Sequence, residues 1–87
     1  MAGYEILFKE SVYKELRHIP KPDLKRILSR IEQLGTDPRP QGSQKLTGAE
    51  LYRVRQGNYL IIYMIEDDKL IVCVVKAGHR KEVYRQE

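Results

Sequence analysis

The sequence has few of the residues that build disulfide scaffolds or metal sites. Its 87 residues include one cysteine, two histidines, one phenylalanine and no tryptophan. A single cysteine, Cys73, cannot form an internal disulfide, which is typical of proteins from a reducing cytoplasm. Two histidines and one cysteine that lie far apart in sequence do not form a metal-binding pattern. We therefore expect a cytoplasmic protein with no metal and no cofactor.

Long apolar runs are also missing. No apolar stretch approaches the roughly 18 residues that a membrane-spanning helix needs, and the N-terminus lacks the apolar segment of a secretory signal. Repeats and low-complexity tracts are absent. A chain of 87 residues is long enough for one domain and too short for two. The sequence predicts a single domain over residues 1–87 that does not act in a membrane.

Positive charge exceeds negative charge. The chain has 16 Lys and Arg against 12 Asp and Glu, which gives a formal net charge of +4 at pH 7. A basic balance suits a nucleic acid, and it equally suits an acidic protein partner. Net charge therefore narrows the class of partner without choosing between these two.

The N-terminal half predicts one strand and a helix hairpin. A short apolar run over residues 4–8 is typical of a strand, and Ser11 is a candidate N-cap for the helix after it. That helix has apolar residues at the spacing of one face: Val12, Leu16 and Ile19. A second helix begins near Pro22 and ends at Gly35. Its apolar stripe is the clearest in the chain: Leu24, Ile27, Leu28, Ile31 and Leu34.

The C-terminal half predicts a loop over residues 36–47 and then three strands: 51–55, 59–65 and 70–75. Gly57-Asn58 is a two-residue hairpin signal, and Asp67-Asp68 marks the next turn. The tail from Arg80 onward forms either a short helix or an extended segment. The predicted fold is α+β, a small antiparallel sheet packed on the N-terminal helix hairpin in the order β-α-α-β-β-β.

A two-residue turn at Gly57-Asn58 fixes the pairing of two strands. Arg55 then lies opposite Leu60, and by the same register Arg53 lies opposite Ile62. One face of the sheet is predicted to carry Arg53, Arg55, Leu60, Ile62 and Cys73. The face toward the helices is predicted to carry Tyr52, Val54, Ile61, Tyr63 and Val72.

The pairing of the last strand depends on the second turn. If Asp67-Asp68 is also a two-residue turn, the opposing pairs are Ile62 with Cys73 and Leu60 with Val75. The last strand then brings Gly78, His79 and Arg80 to the end of the sheet that holds Arg55.

Chemistry-bearing residues are concentrated after the last strand, in the string Ala77-Gly78-His79-Arg80-Lys81-Glu82-Val83-Tyr84. Arginine can stabilise the charge that develops in phosphoryl transfer, but it is a poor base because it stays protonated. Histidine is the residue type in this cluster suited to proton transfer, so His79 is either a general acid or base, or a surface residue that only binds phosphate. Tyr84 either stacks on a base or covers the sheet edge.

Three lysines accompany this cluster as candidate phosphate contacts that position RNA without reading its sequence: Lys45, Lys76 and Lys81. Their alternative role is ordinary solubility charge. Arg53 and Arg55 likewise could be a solvated strand face, but the C-terminal cluster at the same end of the sheet favours a binding role.

Three blocks of the sequence, taken together, resemble the RelE/ParE superfamily of toxins from bacterial and archaeal toxin–antitoxin pairs. These blocks are Tyr52-Arg53-Val54-Arg55, Gly57-Asn58-Tyr59-Leu60-Ile61-Ile62-Tyr63 and Gly78-His79-Arg80-Lys81-Glu82-Val83-Tyr84. The similarity extends over nearly the whole chain, including Lys45-Leu46-Thr47-Gly48. It is greatest with the RelE branch, the ribosome-dependent mRNA interferases.

The resemblance implies metal-independent cleavage of mRNA in the ribosomal A site. The ribose 2′-OH attacks the adjacent phosphate and leaves a 2′,3′-cyclic phosphate. Arg53 and Arg55 match family residues that hold RNA and the reacting phosphate. Arg80 matches an arginine that stabilises the transition-state charge, and Tyr84 matches a tyrosine that orients the reacting nucleotide. Leu60 departs from the family, because many relatives carry an arginine there.

The resemblance also implies partners: a RelB-like antitoxin that is acidic and partly disordered, the ribosome with mRNA in its A site, and operator DNA only through the antitoxin. Two alternatives stay open. One is a ParE-like inhibitor of DNA gyrase without nuclease activity. The other is an RNA-binding toxin whose catalysis is weakened because Leu60 replaces the arginine.

Overall fold

The structure is a computed structural model that describes residues 3–46 and 48–85, with side chains as far as residue 83. Its elements in chain order are β1 (Glu5–Phe8), α1 (Glu10–Arg17), α2 (Lys21–Leu34), β2 (Gln44–Lys45), β3 (Tyr52–Gln56), β4 (Tyr59–Glu66), β5 (Ile71–His79) and α3 (Arg80–Arg85). The sheet order is β1-β5-β4-β3-β2. The α+β class and the sheet on a helix hairpin are confirmed. The pairing of β1 with β5 is parallel, and the others are antiparallel.

Strand β1 runs directly into α1. Lys9 has extended backbone angles and donates its N–H to the Val74 carbonyl over 2.8 Å, so strand pairing continues to this residue. The helix begins at the next residue, Glu10, with Lys9 as its N-cap and no side-chain cap. The prediction of Ser11 as N-cap was wrong, because the strand ends closer to the helix than the sequence pattern indicates.

Helix α2 has the predicted apolar stripe. Ile27, Ile31 and Leu34 are buried, whereas Leu28 is 41% exposed and lies at the margin. The helix ends beside β1, where the Gly35 carbonyl accepts the Tyr4 N–H over 2.7 Å. A β-carbon on Gly35 would lie 3.1 Å from the backbone carbonyl oxygen of Tyr4. Glycine therefore allows the close approach that joins this helix end to the first strand.

The β3–β4 hairpin forms as predicted. Gln56 pairs with Tyr59, so the turn consists of two residues, and Gly57 has a φ of +61°. A positive φ at the first central position suits a hairpin turn and favours glycine. Arg55 lies opposite Leu60 and Arg53 opposite Ile62, which confirms this register.

The β4–β5 turn is longer than predicted. Glu66 pairs with Ile71, which leaves residues 67–70 in the turn, and Leu70 has a φ of +55°. The predicted pairs of Ile62 with Cys73 and Leu60 with Val75 are therefore wrong. The observed pairs are Met64 with Cys73, Ile62 with Lys76, and Leu60 with Gly78.

A β-bulge interrupts β5 at Val75. Tyr63 lies opposite Val74 and the preceding residue, Ile62, lies opposite Lys76, so Val75 is an extra residue without a partner. Side chains alternate along a strand, and one extra residue reverses which of them face the helices. Val74 before the bulge and Ala77 after it both belong to the core. Without the bulge, Lys76 would lie opposite Ile61 in the core, at the position that Ala77 occupies.

The core lies between the sheet and the helix hairpin. Its buried members from the strands include Val54, Ile61, Tyr63 and Val72, which confirms the predicted inner face, and Tyr52 packs against them partly buried. The Tyr63 hydroxyl donates to the Pro38 carbonyl over 2.8 Å, so the deepest aromatic residue has a partner for its polar atom. Full burial of each such side chain contributes about 1.5–3 kcal/mol.

The short strand β2 lies within the stretch predicted as loop, where it pairs with β3 through Gln44 and Lys45. None of the helices in residues 3–46 and 48–85 has the length and apolar character needed to cross a membrane.

Candidate functional site

A row of four residues, three of them polar or cationic, crosses the sheet on the face away from the helix hairpin. Register places Gln44, Arg53, Ile62 and Lys76 side by side on strands β2 to β5. Directly opposed residues share a face of the sheet. The Arg53 guanidinium donates its Nε–H to Gln44 Oε1 over 3.0 Å. This contact orients the Arg53 side chain along the sheet surface.

A second row lies one step nearer the Gly57 turn and consists of Arg55, Leu60 and Gly78. Arg55 is exposed and donates Nε–H to the Gly57 carbonyl over 2.9 Å. Its guanidinium is thus held at the end of the hairpin. Arg53 and Arg55 share one face and one strand, as the sequence predicts.

Helix α3 covers part of this second row. A β-carbon on Gly78 would lie 3.6 Å from Val83 Cγ2, so Val83 is directly above Gly78. Leu60 is the cross-strand partner of Gly78 and is 5% exposed, while Val83 is 6% exposed. This end of the face that carries Leu60 is therefore covered by α3. Leu60 therefore anchors α3 on the outer face of the sheet.

Arg80 and Lys81 lie at this covered end, whereas Lys45 lies at the other end of the sheet. The Arg80 N–H donates to the Asn58 carbonyl over 2.9 Å, which fixes the start of α3 beside the Gly57 turn. The side chains of Arg80 and Lys81 are exposed. Lys45 lies on β2 opposite Tyr52, so register places it on the face toward the helices and not with Arg53. It forms an exposed ion pair with Glu50 at 3.7 Å. Tyr84 has its backbone in α3, but its side chain lies outside the described residues.

His79 lies on the opposite face of the sheet from Arg55. It pairs with Tyr59, and the two rings meet edge to face with centroids 5.7 Å apart. Tyr59 packs against the core and donates to Asp23 of α2 over 3.3 Å, so this is the face toward the helices. His79 reaches the expected end of the sheet, but the bulge at Val75 turns it to the other side.

His79 also caps α3. His79 is the residue directly before the helix, and its Nδ1 accepts the Lys81 N–H over 3.2 Å. A side chain at this position that accepts from the second helical residue satisfies one of the unpaired donors of the first turn. The face with Arg53 and Arg55 can thus bind and stabilise negative charge, and the imidazole of His79 lies around the edge of β5 from it.

Sequence reasoning missed Arg39. Its guanidinium binds the Asp67 carboxylate through two hydrogen bonds of 3.1 and 2.9 Å, and its Nε–H donates to the Tyr52 hydroxyl over 3.2 Å. The Tyr4 hydroxyl also donates to Asp67 over 2.7 Å. This cluster, which we name the Arg39 clasp (Tyr4, Arg39, Tyr52 and Asp67), joins four distant parts of the chain. No local pattern connects residues so far apart.

The clasp shifts the ionisation of its members. The hydrogen bond from Arg39 is the main cause that lowers the pKa of Asp67 to about 2, and the bond from Tyr4 adds to it. The hydrogen bond with Asp67 is the main cause that raises the pKa of Arg39, and the separate hydrogen bond from Tyr4 to Asp67 is the main cause that raises the pKa of Tyr4. Desolvation by burial raises the pKa of Tyr59 and Tyr63. These tyrosines are therefore neutral at physiological pH.

Comparison with known proteins gives consistent matches. The family described as "ParE toxin of type II toxin-antitoxin system, parDE" matches residues 6–84. A Methanocaldococcus jannaschii protein assigned to the toxins as RelE1 is 30% identical over 86 residues, which cover 94% of this chain and 96% of the relative.

Solved structures agree with these matches. The archaeal RelE–RelB complex from Pyrococcus horikoshii superposes with a TM-score of 0.80 at 29% identity, covering 92% of this chain and 97% of that chain. The isolated RelE toxin of Escherichia coli superposes with a TM-score of 0.77 at 26% identity, covering 95% of this chain and 93% of that chain.

Proposed function

Since the chain belongs to the RelE/ParE superfamily and is a toxin of a type II toxin–antitoxin system, we propose that it is a metal-independent endoribonuclease. Its substrate is mRNA in the A site of the ribosome. The observation that carries this proposal is the placement of Arg53 and Arg55 on one sheet face, with Arg80 at the same end. Such a set of fixed cations suits the phosphate of an RNA chain.

The proposed reaction is an internal transfer of the phosphoryl group. The 2′-oxygen forms a bond to the adjacent phosphorus and gives its proton to a base, and the 5′-oxygen leaves with a proton from an acid. Negative charge grows on the non-bridging oxygens during this step. Arg55 and Arg80 stabilise that charge, since preorganised cations act most strongly where charge develops.

The RNA chain outside the reacting phosphate is held by a wider set of cations: Arg53, Lys76 and Lys81. Lys45, on the other face of the edge strand β2, is proposed to contact RNA that passes around this edge. Gln44 keeps Arg53 along the sheet surface. Tyr84 remains our candidate for orienting the reacting nucleotide.

Proton transfer is assigned to His79, because arginine stays protonated at physiological pH. His79 lies around the sheet edge from Arg55. The assignment therefore requires that the reacting ribose lie at the edge of β5, between the face with the arginines and the side chain of His79.

The toxin is proposed to act in the cytoplasm and to be neutralised by an acidic antitoxin. The similar structure from Pyrococcus horikoshii is a RelE–RelB complex. Apolar residues on the sheet face that carries Arg53 suit such a partner: Ile62 on the neighbouring strand is half-buried, and Met64 on β4 and Leu7 on β1 are 37% and 41% exposed. Leu60 is covered by α3 and does not contribute. Operator DNA is bound only through the antitoxin.

Leu60 favours a second candidate function. Many relatives carry an arginine at this position, whereas here the buried Leu60 is an apolar anchor for α3. The family that matches the chain is described as the ParE toxin. A ParE-like inhibitor of DNA gyrase would need the scaffold and the partner surface but none of the phosphate chemistry. The same residue is compatible with a toxin that binds RNA and cleaves it weakly.

Primer extension on an mRNA paused on ribosomes tests the nuclease proposal. Wild type should produce cuts within A-site codons, with none in a ribosome-free control. Arg80→Ala should abolish them, while Arg17→Ala, an exposed arginine at the end of α1, should leave them unchanged. Growth inhibition without cuts would contradict the proposal, and a supercoiling assay with purified gyrase would then test the second candidate.

A further inference from the structure

A groove lies where β5 extends beyond the end of β1. The parallel pairing with β1 stops at Val74, and along the rest of β5 this edge faces α1. Glu15 of α1 accepts the Ala77 N–H over 3.0 Å and closes the inner end. The groove between α1, β5 and α3 has a volume of about 580 Å³. We name it the His79 groove.

One wall of the His79 groove is aromatic. Tyr59 and His79 meet there edge to face, and the apolar side chains of Ile19 and Val83 also line the groove. Single-stranded RNA is recognised mainly by unstacked bases that lie on aromatic side chains. The volume, which exceeds that of one nucleobase, and the character of this wall suit a single base.

Glu82 supplies a hydrogen-bond acceptor at the same groove. Its carboxylate is exposed and lines the groove, and within residues 3–46 and 48–83 no hydrogen bond or ion pair forms to it. The other nearby carboxylates are engaged, Glu15 with the Ala77 N–H and Asp23 with the Tyr59 hydroxyl. A carboxylate only accepts hydrogen bonds. Guanine presents two adjacent donors, N1–H and the N2 amino group, that match its two oxygens.

The His79 groove is continuous with the face that carries the arginines. Lys76 lies in the row with Ile62 and Arg53 on the outer face, and it also lines the groove. An RNA backbone held by that row can therefore turn one base over the edge of β5. His79, proposed for proton transfer, lines the same groove, so this base belongs to a nucleotide next to the cleaved bond.

We propose that the His79 groove binds one unstacked guanine of the RNA substrate, with the Glu82 carboxylate accepting from N1–H and the N2 amino group. Uracil offers one donor between two carbonyl oxygens and is disfavoured there. The inference rests on the proposed nuclease function for the source of the guanine, and it predicts a guanine preference beside the cleaved bond.

Binding is tested without cleavage by titrating ¹⁵N-labelled toxin with GMP and, separately, UMP. GMP should shift the amides of residues 15–19 and 77–82, and UMP should shift them far less. Glu82→Gln should remove the difference. Glu82→Asp keeps the charge in the first turn of α3 but shortens its reach, and it should also remove the difference. Glu32→Gln, on the exposed side of α2, should behave as wild type.

A cleavage assay on the ribosome distinguishes failure of the guanine site from failure of the proposed nuclease function. If wild type cuts with a guanine preference, Glu82→Gln should lower that preference about tenfold while cutting continues, as expected for one two-pronged base contact. An unchanged preference in Glu82→Gln, or equal shifts with GMP and UMP, would overturn the guanine site. Groove shifts specific to GMP without any cutting would support the site and reject the nuclease.

Discussion

The Arg39 guanidinium and the Asp67 carboxylate form a two-pronged ion pair with N–O distances of 3.1 and 2.9 Å. Arg39 lies in the long loop before β2, and Asp67 lies in the turn between β4 and β5. Because Arg39 also donates to Tyr52 of β3, the pair ties the loop to the sheet. The loop leads directly to Gln44, which orients Arg53. The Arg39 clasp thus supports the sheet face that carries Arg53 and Arg55, from the end of the sheet opposite the Gly57 turn.

Acid should weaken the clasp. The pKa of Asp67 is about 2 in the folded protein against an ordinary value of 3.8, so the folded state holds the proton less tightly than the unfolded state. The stabilisation that the ion pair gives is complete above the pKa of Asp67 in the unfolded state, and it is lost as the pH falls from about 4 toward 2. Asp67→Asn should lower the thermal midpoint at pH 7, and its difference from wild type should shrink toward pH 2.

Asp68→Asn is the matched control, because it removes the same charge from the neighbouring position of the same turn. Its thermal midpoint should follow that of wild type at every pH. A difference between Asp67→Asn and wild type that stays constant from pH 7 to pH 2 would show that the ion pair does not stabilise the fold.

Leu60 should stabilise α3 more than its neighbours do. Leu60→Ala removes a buried side chain beneath Val83 and should cost about 2 kcal/mol of unfolding free energy, the low end for such a change. Amide protection in α3 should fall at the same time. Ile62→Ala, on the same strand and face but half-buried, should cost less. Urea unfolding and hydrogen exchange check both effects, and equal losses would argue against the anchor.

Gly78 should tolerate one added carbon but not three. A β-carbon there would meet Val83 Cγ2 at 3.6 Å, an ordinary van der Waals contact. Gly78→Ala should therefore stay within about 0.5 kcal/mol of wild type. Gly78→Val places further methyl groups toward α3 and should cost about 1–3 kcal/mol by overpacking. Urea unfolding checks both values, and a stable Gly78→Val variant would mean that α3 is not closely packed.

The two roles of His79 can be separated by substitution. His79→Asn keeps a side-chain oxygen that can accept the Lys81 N–H, since asparagine is a preferred N-cap, but it cannot transfer protons. Cleavage should fall about 10²–10⁴-fold, the usual contribution of general acid–base catalysis. His79→Ala should lose the cap as well and reduce α3 protection. Cleavage by His79→Asn at the wild-type rate would limit His79 to capping.

The sequence predicts most of this architecture because its strongest signals are local. The helical stripe around Ile27 and Ile31 needs one element, and the β3–β4 register needs one turn at Gly57-Asn58. Alternation then placed Arg53 and Arg55 on one face. The helix alternative for the tail after Arg80 is the observed one.

The errors arise where longer-range geometry decides. The β4–β5 turn is two residues longer than predicted, which shifts the pairing by an even number and keeps Cys73 on its predicted face. The bulge at Val75 adds one more residue, an odd shift, and turns His79 to the other side. No residue type near Val75 marks a bulge, and no local pattern predicts that Arg39 reaches Asp67.

The bulge at Val75 also affects how this protein should be aligned with its relatives. A relative that lacks the extra residue would present the residue equivalent to His79 on the same side as the arginines. Two chains could then share the same order of residues after the last strand and still place them in different chemical surroundings. Functional equivalence in this segment therefore has to be assigned by superposing the strands, with the extra residue treated as an insertion.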